Sequence, residues 1–221
     1  MQKFETIRSY AEAKKGGADA LEALLAETPK PKDFGHLGDD RILSEFTKRI
    51  FQAGFNWSVV EKKWDGFEAA FHNFDIGRNA FMSDDDFDAH LRNTDIVRNA
   101  TKILTVRDNA IFLSDVAKEH GSAARYISDW PSSDLIGLWA LLKKRGARLG
   151  GASAQYALRF LGKDCFILSQ DVTAALQRAG VIEGSATSKR AQNAIQDTFN
   201  SWREETGESY TRLSRICAMS V

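Results

Sequence analysis

The chain has 221 residues, thirty basic and thirty acidic side chains that cancel, and apolar and charged fractions of 43% and 27%. That length carries one large domain or two small ones, and zero net charge argues against a chain that coats nucleic acid non-specifically while leaving room for a local basic patch. No stretch approaches the roughly 20 apolar residues of a membrane span, no signal peptide opens the chain, and Cys165 and Cys217 form no C-x-x-C pair, so the expectation is a reducing cytoplasm without membrane or disulfide.

The pattern is nearly all helical. Residues 4–15 and 18–27 read as two short helices separated by Gly16-Gly17, followed by a Pro-, Gly- and Lys-rich linker from Thr28 to Gly38. Residues 1–38 are therefore an N-terminal helical appendage and linker, or a pair that packs on the main body, and 39–221 form the principal domain. Asp39 or Asp40 is placed to cap a helix to about Ala53, with Ile42, Leu43, Phe46, Ile50 and Phe51 at helical spacing. Gly54 ends it. Short helices follow over Trp57–Lys63 and Trp64–Phe71. Ser83 before three aspartates is a strong N-cap for a helix to about Leu91. A long helix is expected over 96–119, with Ile96, Ile103, Leu104, Ile111 and Leu113 among its apolar positions. Ser132 or Ser133 would cap the next helix, which ends in Lys143-Lys144-Arg145. Its partner covers 151–161. The remaining helices are read over Asp171–Ala179, Ser188–Glu204 and from Ser209 onward.

Three stretches carry chemistry. The first runs from Lys143 through Gly146, Arg148 and Gly150-Gly151 to Tyr156, a helix–hairpin–helix pattern. Glycines at the start of the second helix let its free N–H groups approach a phosphate, and Lys143, Lys144, Arg145 and Arg148 supply positive charge. Cations in a last helical turn, with Gly146 as a C′ cap, also stabilise a helix end with no ligand present. The second is Asp171, after the apolar Phe166-Ile167-Leu168. It reads either as an N-cap, a place Ser169 also suits, or as a carboxylate that stabilises positive charge on a sugar or orients water. The third is Phe51-Gln52-Ala53-Gly54-Phe55-Asn56-Trp57, an aromatic group around a glycine. It forms either ordinary core or a slot for a base turned out of its stack. The four histidines fit no metal spacing.

Several blocks together resemble the DNA-3-methyladenine glycosylase I family. They are Gln52-Ala53-Gly54-Phe55-Asn56-Trp57, Val60-Glu61-Lys62-Lys63, Phe71-His72-Asn73-Phe74-Asp75, the run Asp95–Ile103, and Leu142-Lys143-Lys144-Arg145-Gly146. The resemblance covers roughly residues 39–165 and implies an all-α fold of the helix–hairpin–helix DNA glycosylase superfamily. It implies that Trp57 stacks on an excised base, with Phe55, Gln52, Arg49 and Tyr156 completing the base-binding set. Residues 143–151, including Lys143, Lys144, Arg145, Arg148, Gly150 and Gly151, would hold the DNA backbone. In the wider superfamily an acid after this segment is catalytic, and Asp171 is its counterpart. The resemblance departs at two points. Arg49 stands where the family has a base-recognising glutamate, and the Cys and His residues that hold the family's structural zinc have no counterparts, so neither metal nor cofactor is expected. The implied function is base-excision repair by a monomer: duplex DNA is bound, an alkylated, 3-methyladenine-like purine is flipped out, and its glycosidic bond is hydrolysed. No lysine other than Lys163 offers a nucleophile, so no strand cleavage is expected. The alternative, motivated by Arg49 and the missing zinc ligands, is an inactive DNA-binding or protein-interaction module.

Overall fold

A computed structural model describes residues 2–221, and among them the secondary structure is helical, without a β-strand. The helices, in chain order, are α1 (Phe4–Lys15), α2 (Ala18–Ala26), α3 (Asp39–Gln52), α4 (Trp57–Lys62), α5 (Trp64–Ala70), α6 (Ile76–Ala80) and α7 (Asp84–Arg92), then α8 (Ala100–His120), α9 (Ala123–Asp129), α10 (Leu135–Arg145), α11 (Ala152–Leu161), α12 (Gln170–Arg178), α13 (Lys189–Thr206) and α14 (Tyr210–Met219). They cluster into two compact units. One joins the chain up to Lys32 with Pro131–Gly137 and Leu158–Val221; the other comprises Asp33–Trp130 and Leu138–Ala157. The N-terminal helix pair falls in the same unit as the C-terminal helices.

In the first unit, Gly16 takes the left-handed conformation (φ 93°) that ends α1, and Gly17 follows at φ 116°. A side chain is strained at such φ values, which is why two glycines make this turn. Phe4 packs on Trp202 of α13, with ring centroids 5.3 Å apart. Arg8 and Arg212 of α14 both bind Glu22 of α2. The segment before α12 has no regular secondary structure, and its backbone is held by Ser214 Oγ, which accepts from Ile167 N at 3.0 Å, and by Thr211 Oγ1, which accepts from Cys165 N at 3.3 Å. Ser169 caps α12 by accepting from Val172 N. Neither Ser132 nor Ser133 caps α10. The side-chain Oε1 of Gln196 accepts from Leu135 N at 2.7 Å, and Asp134 Oδ1 accepts from Gly137 N at 3.0 Å.

In the second unit, α8 is the central element and packs on α3 and α6. It begins at Ala100 rather than 96, because Asn99 caps it by accepting from Lys102 N. Ile96 is buried but precedes the helix, and Ile111, one of the helix's apolar positions, is 43% exposed. Ser83 and Asp86 form a reciprocal capping box on α7, as the sequence pattern predicts. Helix α9 was not foreseen. The carboxylate of Asp39 accepts from Ala123 N (3.1 Å) and Ala124 N (2.8 Å). Asp39, one of two residues expected to cap its own helix, thus supports the start of α9 beside its N-cap Ser122, which accepts from Arg125 N, while Gly38 precedes α3 without a side-chain cap.

A further feature is local. His72, Asn73 and Phe74 all have positive φ (54°, 53° and 61°), one left-handed turn of non-glycine residues. Such a turn costs about 1–2 kcal/mol per residue. It is held by burial of Phe74, stacked 5.5 Å from Trp64, by Arg41, which donates to Asn73 O at 2.5 Å, and by Asn79, which donates to Phe71 O at 2.7 Å.

Candidate DNA-repair site

Two structures in the second unit concern the expected chemistry: a small cavity and the hairpin. The cavity lies where α3 ends and α4 begins. Its volume is about 200 Å³, and its walls are Arg49, Gln52, Gly54, Phe55 and Trp57 on one side and Ser153 and Tyr156 of α11 on the other. The five residues expected to bind a base are thereby brought together.

The local sequence explains the shape. Helix α3 stops at Gln52, Ala53 turns extended, and Gly54 turns left-handed at φ 74°. Asn56 restarts the helix by accepting from Ser58 N at 3.0 Å. Lys102 holds the break open. Its ammonium donates to Phe51 O (3.1 Å) and Ala53 O (2.6 Å), carbonyls that the ended helix leaves unpaired. It also lies 4.6 Å from the Phe55 ring centroid. Burial, and then the charge of Arg148, lowers its pKa. The aromatic walls remain open: Trp57 is 39% and Phe55 43% exposed. Trp57 meets Tyr156 edge to face, centroids 5.6 Å apart and planes at 89°.

Arg49 is buried, at 6% exposure. Its Nε donates to Glu45 Oε1 at 2.5 Å and its Nη1 to Gln52 Oε1 at 2.6 Å. The guanidinium carbon lies 5.3 Å from the Trp57 centroid. Burial pushes the Glu45 carboxyl up, against the opposing pull of Arg49.

The hairpin joins α10 to α11. Asn109 of α8, fully buried, grips its turn from both sides: Oδ1 accepts from Ala147 N at 2.8 Å and Nδ2 donates to Ala147 O at 3.1 Å. Gly146 is not the left-handed cap; Arg148, at φ 57°, takes that conformation. Gly146 is needed for space, since a Cβ there would stand 2.6 Å from Leu149 Cδ1 and 2.8 Å from Leu142 O. A Cβ on Gly150 would meet Lys143 Cγ at 3.0 Å, whereas Gly151, just before α11, faces open space. Lys143 and Lys144 are exposed. Arg145 is committed elsewhere: it forms a two-pronged ion pair with Glu119 at 2.7 and 2.8 Å and lies over Phe112. Arg148 donates to Thr101 Oγ1 at 3.0 Å.

Asp171 belongs to the first unit. It is the second residue of α12 and is exposed. Ser169 does the capping, so capping does not account for the acid.

A sequence model of the methyladenine glycosylase family matches residues 35–147, which is just over half of the chain. The chain belongs to the methyladenine glycosylase family. A DNA-3-methyladenine glycosylase of Haemophilus influenzae is 37% identical over 59 residues, 27% of this chain and 32% of that relative's length. The aligned stretch therefore spans about a third of the curated relative. A solved 3-methyladenine DNA glycosylase I shares 26% identity with a TM-score of 0.50, over 60% of this chain and 81% of that one. The 8-oxoguanine glycosylase/lyase of Methanocaldococcus jannaschii, solved with DNA containing 8-oxoguanine, is similar at 14% identity and a TM-score of 0.56 over 96% of this chain and 95% of that one. That last likeness concerns the fold alone.

Within the methyladenine glycosylase segment lie Arg49, Gln52, Phe55, Trp57 and the basic end of α10; Arg148, Gly150, Gly151, Tyr156 and Asp171 lie beyond it. Three residues that shape the site were assigned no role in the sequence reading. Glu45 had a signal, an acid four residues before Arg49 on one helix face. Lys102 and Asn109 had none, since a lysine and an asparagine on a helix ordinarily point to solvent.

Proposed function

We propose that this member of the family is a DNA N-glycosylase of base-excision repair. It binds duplex DNA, turns one alkylated purine of the size and shape of 3-methyladenine out of the stack, and hydrolyses its N-glycosidic bond. The observation that carries the reading is the cavity: Trp57, Phe55 and Tyr156 and the hydrogen-bonding groups of Arg49, Gln52 and Ser153 line a space of about 200 Å³. Alkylation weakens pairing, so such a base costs less to extrude. The hairpin's Lys143 and Lys144, with the open backbone at Gly151, suit phosphate contacts that fix the duplex. In the reaction the bond from C1′ to the base nitrogen breaks and its electron pair leaves with the base, water adds its oxygen to C1′, and the proton that water gives up passes to solvent when the base is cationic in the nucleoside and leaves neutral, or to the leaving nitrogen when the base is uncharged. Asp171 is the carboxylate assigned to stabilise the oxocarbenium-like sugar or to position that water. The enzyme acts in this reading as a monomer in the cytoplasm, and no described helix is long and apolar enough to cross a membrane.

The test is release of free base from alkylated duplex DNA, read by mass spectrometry. Wild type releases an alkylated purine; Asp171→Asn loses release by at least about 100-fold while keeping duplex affinity, the scale expected for a positioned acid or base. Full activity in Asp171→Asn removes the catalytic assignment. Duplex binding without release of any base would support the alternative of an inactive binding module, which Arg49 favours.

A further inference from the structure

Helix α8 holds two separate parts of the site from one face. Lys102 and Asn109 are both buried and stand two helical turns apart, about 10 Å along the axis. Asn109 grips the hairpin turn at Ala147. Arg148, the next residue of that turn, donates to Thr101 Oγ1, which donates in turn to Asn99 Oδ1 at 2.9 Å. Lys102 grips the other part, the break between α3 and α4. Within that break Ala53 N donates to Arg49 O and Phe55 N to Gln52 O, each at 3.1 Å. The carbonyls of Phe51 and Ala53 accept from the Lys102 ammonium, which lies 51 and 49 positions further along the chain. The same ammonium lies against the Phe55 ring.

Burial and the charge of Arg148 lower the pKa of Lys102, as a lysine nucleophile requires. Yet Lys102 does not line the cavity, and it donates to backbone carbonyls. It acts on the cavity through Phe51, Ala53 and Phe55. Phe55 and Trp57, the aromatic walls, are partly exposed, so burial in a core does not by itself fix them. Their places follow from the course of the backbone between Ala53 and Asn56. We infer that Lys102 is a positioning residue for base release: it fixes the cavity loop to α8, and through that helix sets the loop's distance from the hairpin turn that Asn109 holds. A base turned out of a duplex gripped by the hairpin then meets walls already in register. Misplacement by about 1 Å costs on the order of 100-fold in rate. The inference rests on the glycosylase reading for the reaction, but not for how the loop is held.

Lys102→Met removes the donors at nearly constant side-chain length. Hydrogen exchange at the amides of Ala53 and Phe55 should quicken by about tenfold or more, while Ala147 N, held by Asn109, keeps its protection. Base release from methylated duplex DNA, in single turnovers at saturating enzyme, should fall by about 10- to 100-fold. Affinity for undamaged duplex and its salt slope should stay as in wild type. Asn109→Ala should give the mirror image in exchange, with protection lost at Ala147 and kept at Ala53 and Phe55. Lys102→Gln, whose shorter side chain weakens both donations, should show the same split as Lys102→Met at smaller size, and it carries the test if Lys102→Met does not fold. Wild-type exchange at Ala53 and Phe55 in a folded Lys102 variant, or wild-type release from one, overturns the inference. So does a loss of protection at Ala147 equal to that at Ala53 and Phe55, which marks general destabilisation. A wild type that releases no base from any alkylated duplex defeats the glycosylase reading alone. In that case protection lost only at Ala53 and Phe55 upholds the positioning of the loop by Lys102, and any other pattern overturns it.

Discussion

Cys217, in the last helix of the chain, is fully buried, and burial pushes its thiol up to about 12. Cys165 is equally buried, and burial raises its thiol in the same direction. A thiolate is the reactive form, so neither residue is a nucleophile near neutral pH. Ellman-type titration of the native protein at pH 8 should detect neither thiol, and addition of denaturant should release both; rapid reaction of the folded chain would contradict the burial. The same scale shows what one residue's neighbours hide from a sequence. Arg49 was legible as a wall residue because it stands at a fixed offset from Ala53-Gly54. What it touches was not: a salt bridge to Glu45 and a bond to Gln52 depend on side-chain directions that spacing alone leaves open. Asp171 illustrates the reverse. Two capping candidates were visible in Ser169-Gln170-Asp171, and geometry selects Ser169.

At the scale of elements, the hairpin is a turn held from outside. Asn109 satisfies both backbone groups of Ala147, and each such bond is worth about 1 kcal/mol net, with a further cost when a buried group is left unmade. Asn109→Ala should therefore lower stability by about 2–3 kcal/mol. Its specific mark is a split: duplex affinity should fall several-fold while binding of a free purine in the cavity is unchanged. Asn109→Asp keeps the acceptor for Ala147 N and should recover part of the affinity; equal losses in both ligands would show general damage rather than a hairpin defect. Elements whose ends are written locally were legible in advance. Helix α7 announces itself through Ser83 and Asp86, and α1 through Gly16-Gly17. Elements whose ends are completed by distant residues were not. Helix α9 adds to its local cap Ser122 the carboxylate of Asp39, more than eighty positions earlier, and α10 adds to Asp134 the side chain of Gln196, some sixty positions later. No window of sequence contains both partners.

At the scale of the whole chain, net charge is zero, and DNA affinity must come from where the cations stand rather than from how many there are. Lys143 and Lys144 are exposed at the end of α10, beside a turn that leaves backbone open at Gly151. Arg145, next in sequence, is neutralised by Glu119 and supported by Phe112. The three adjacent cations are therefore not equivalent. The dependence of duplex affinity on salt reports the number of phosphates neutralised, close to 0.9 in the logarithmic slope for each. Lys143→Ala/Lys144→Ala should reduce that slope by about 2 and weaken binding across sequences. Arg145→Ala should leave the slope nearly unchanged and lower stability instead, because it frees Glu119 and strips cover from Phe112. A slope that falls as far for Arg145→Ala as for either lysine would mean that the Glu119 pair opens when DNA binds, and that all three cations act together as the sequence alone had led one to expect.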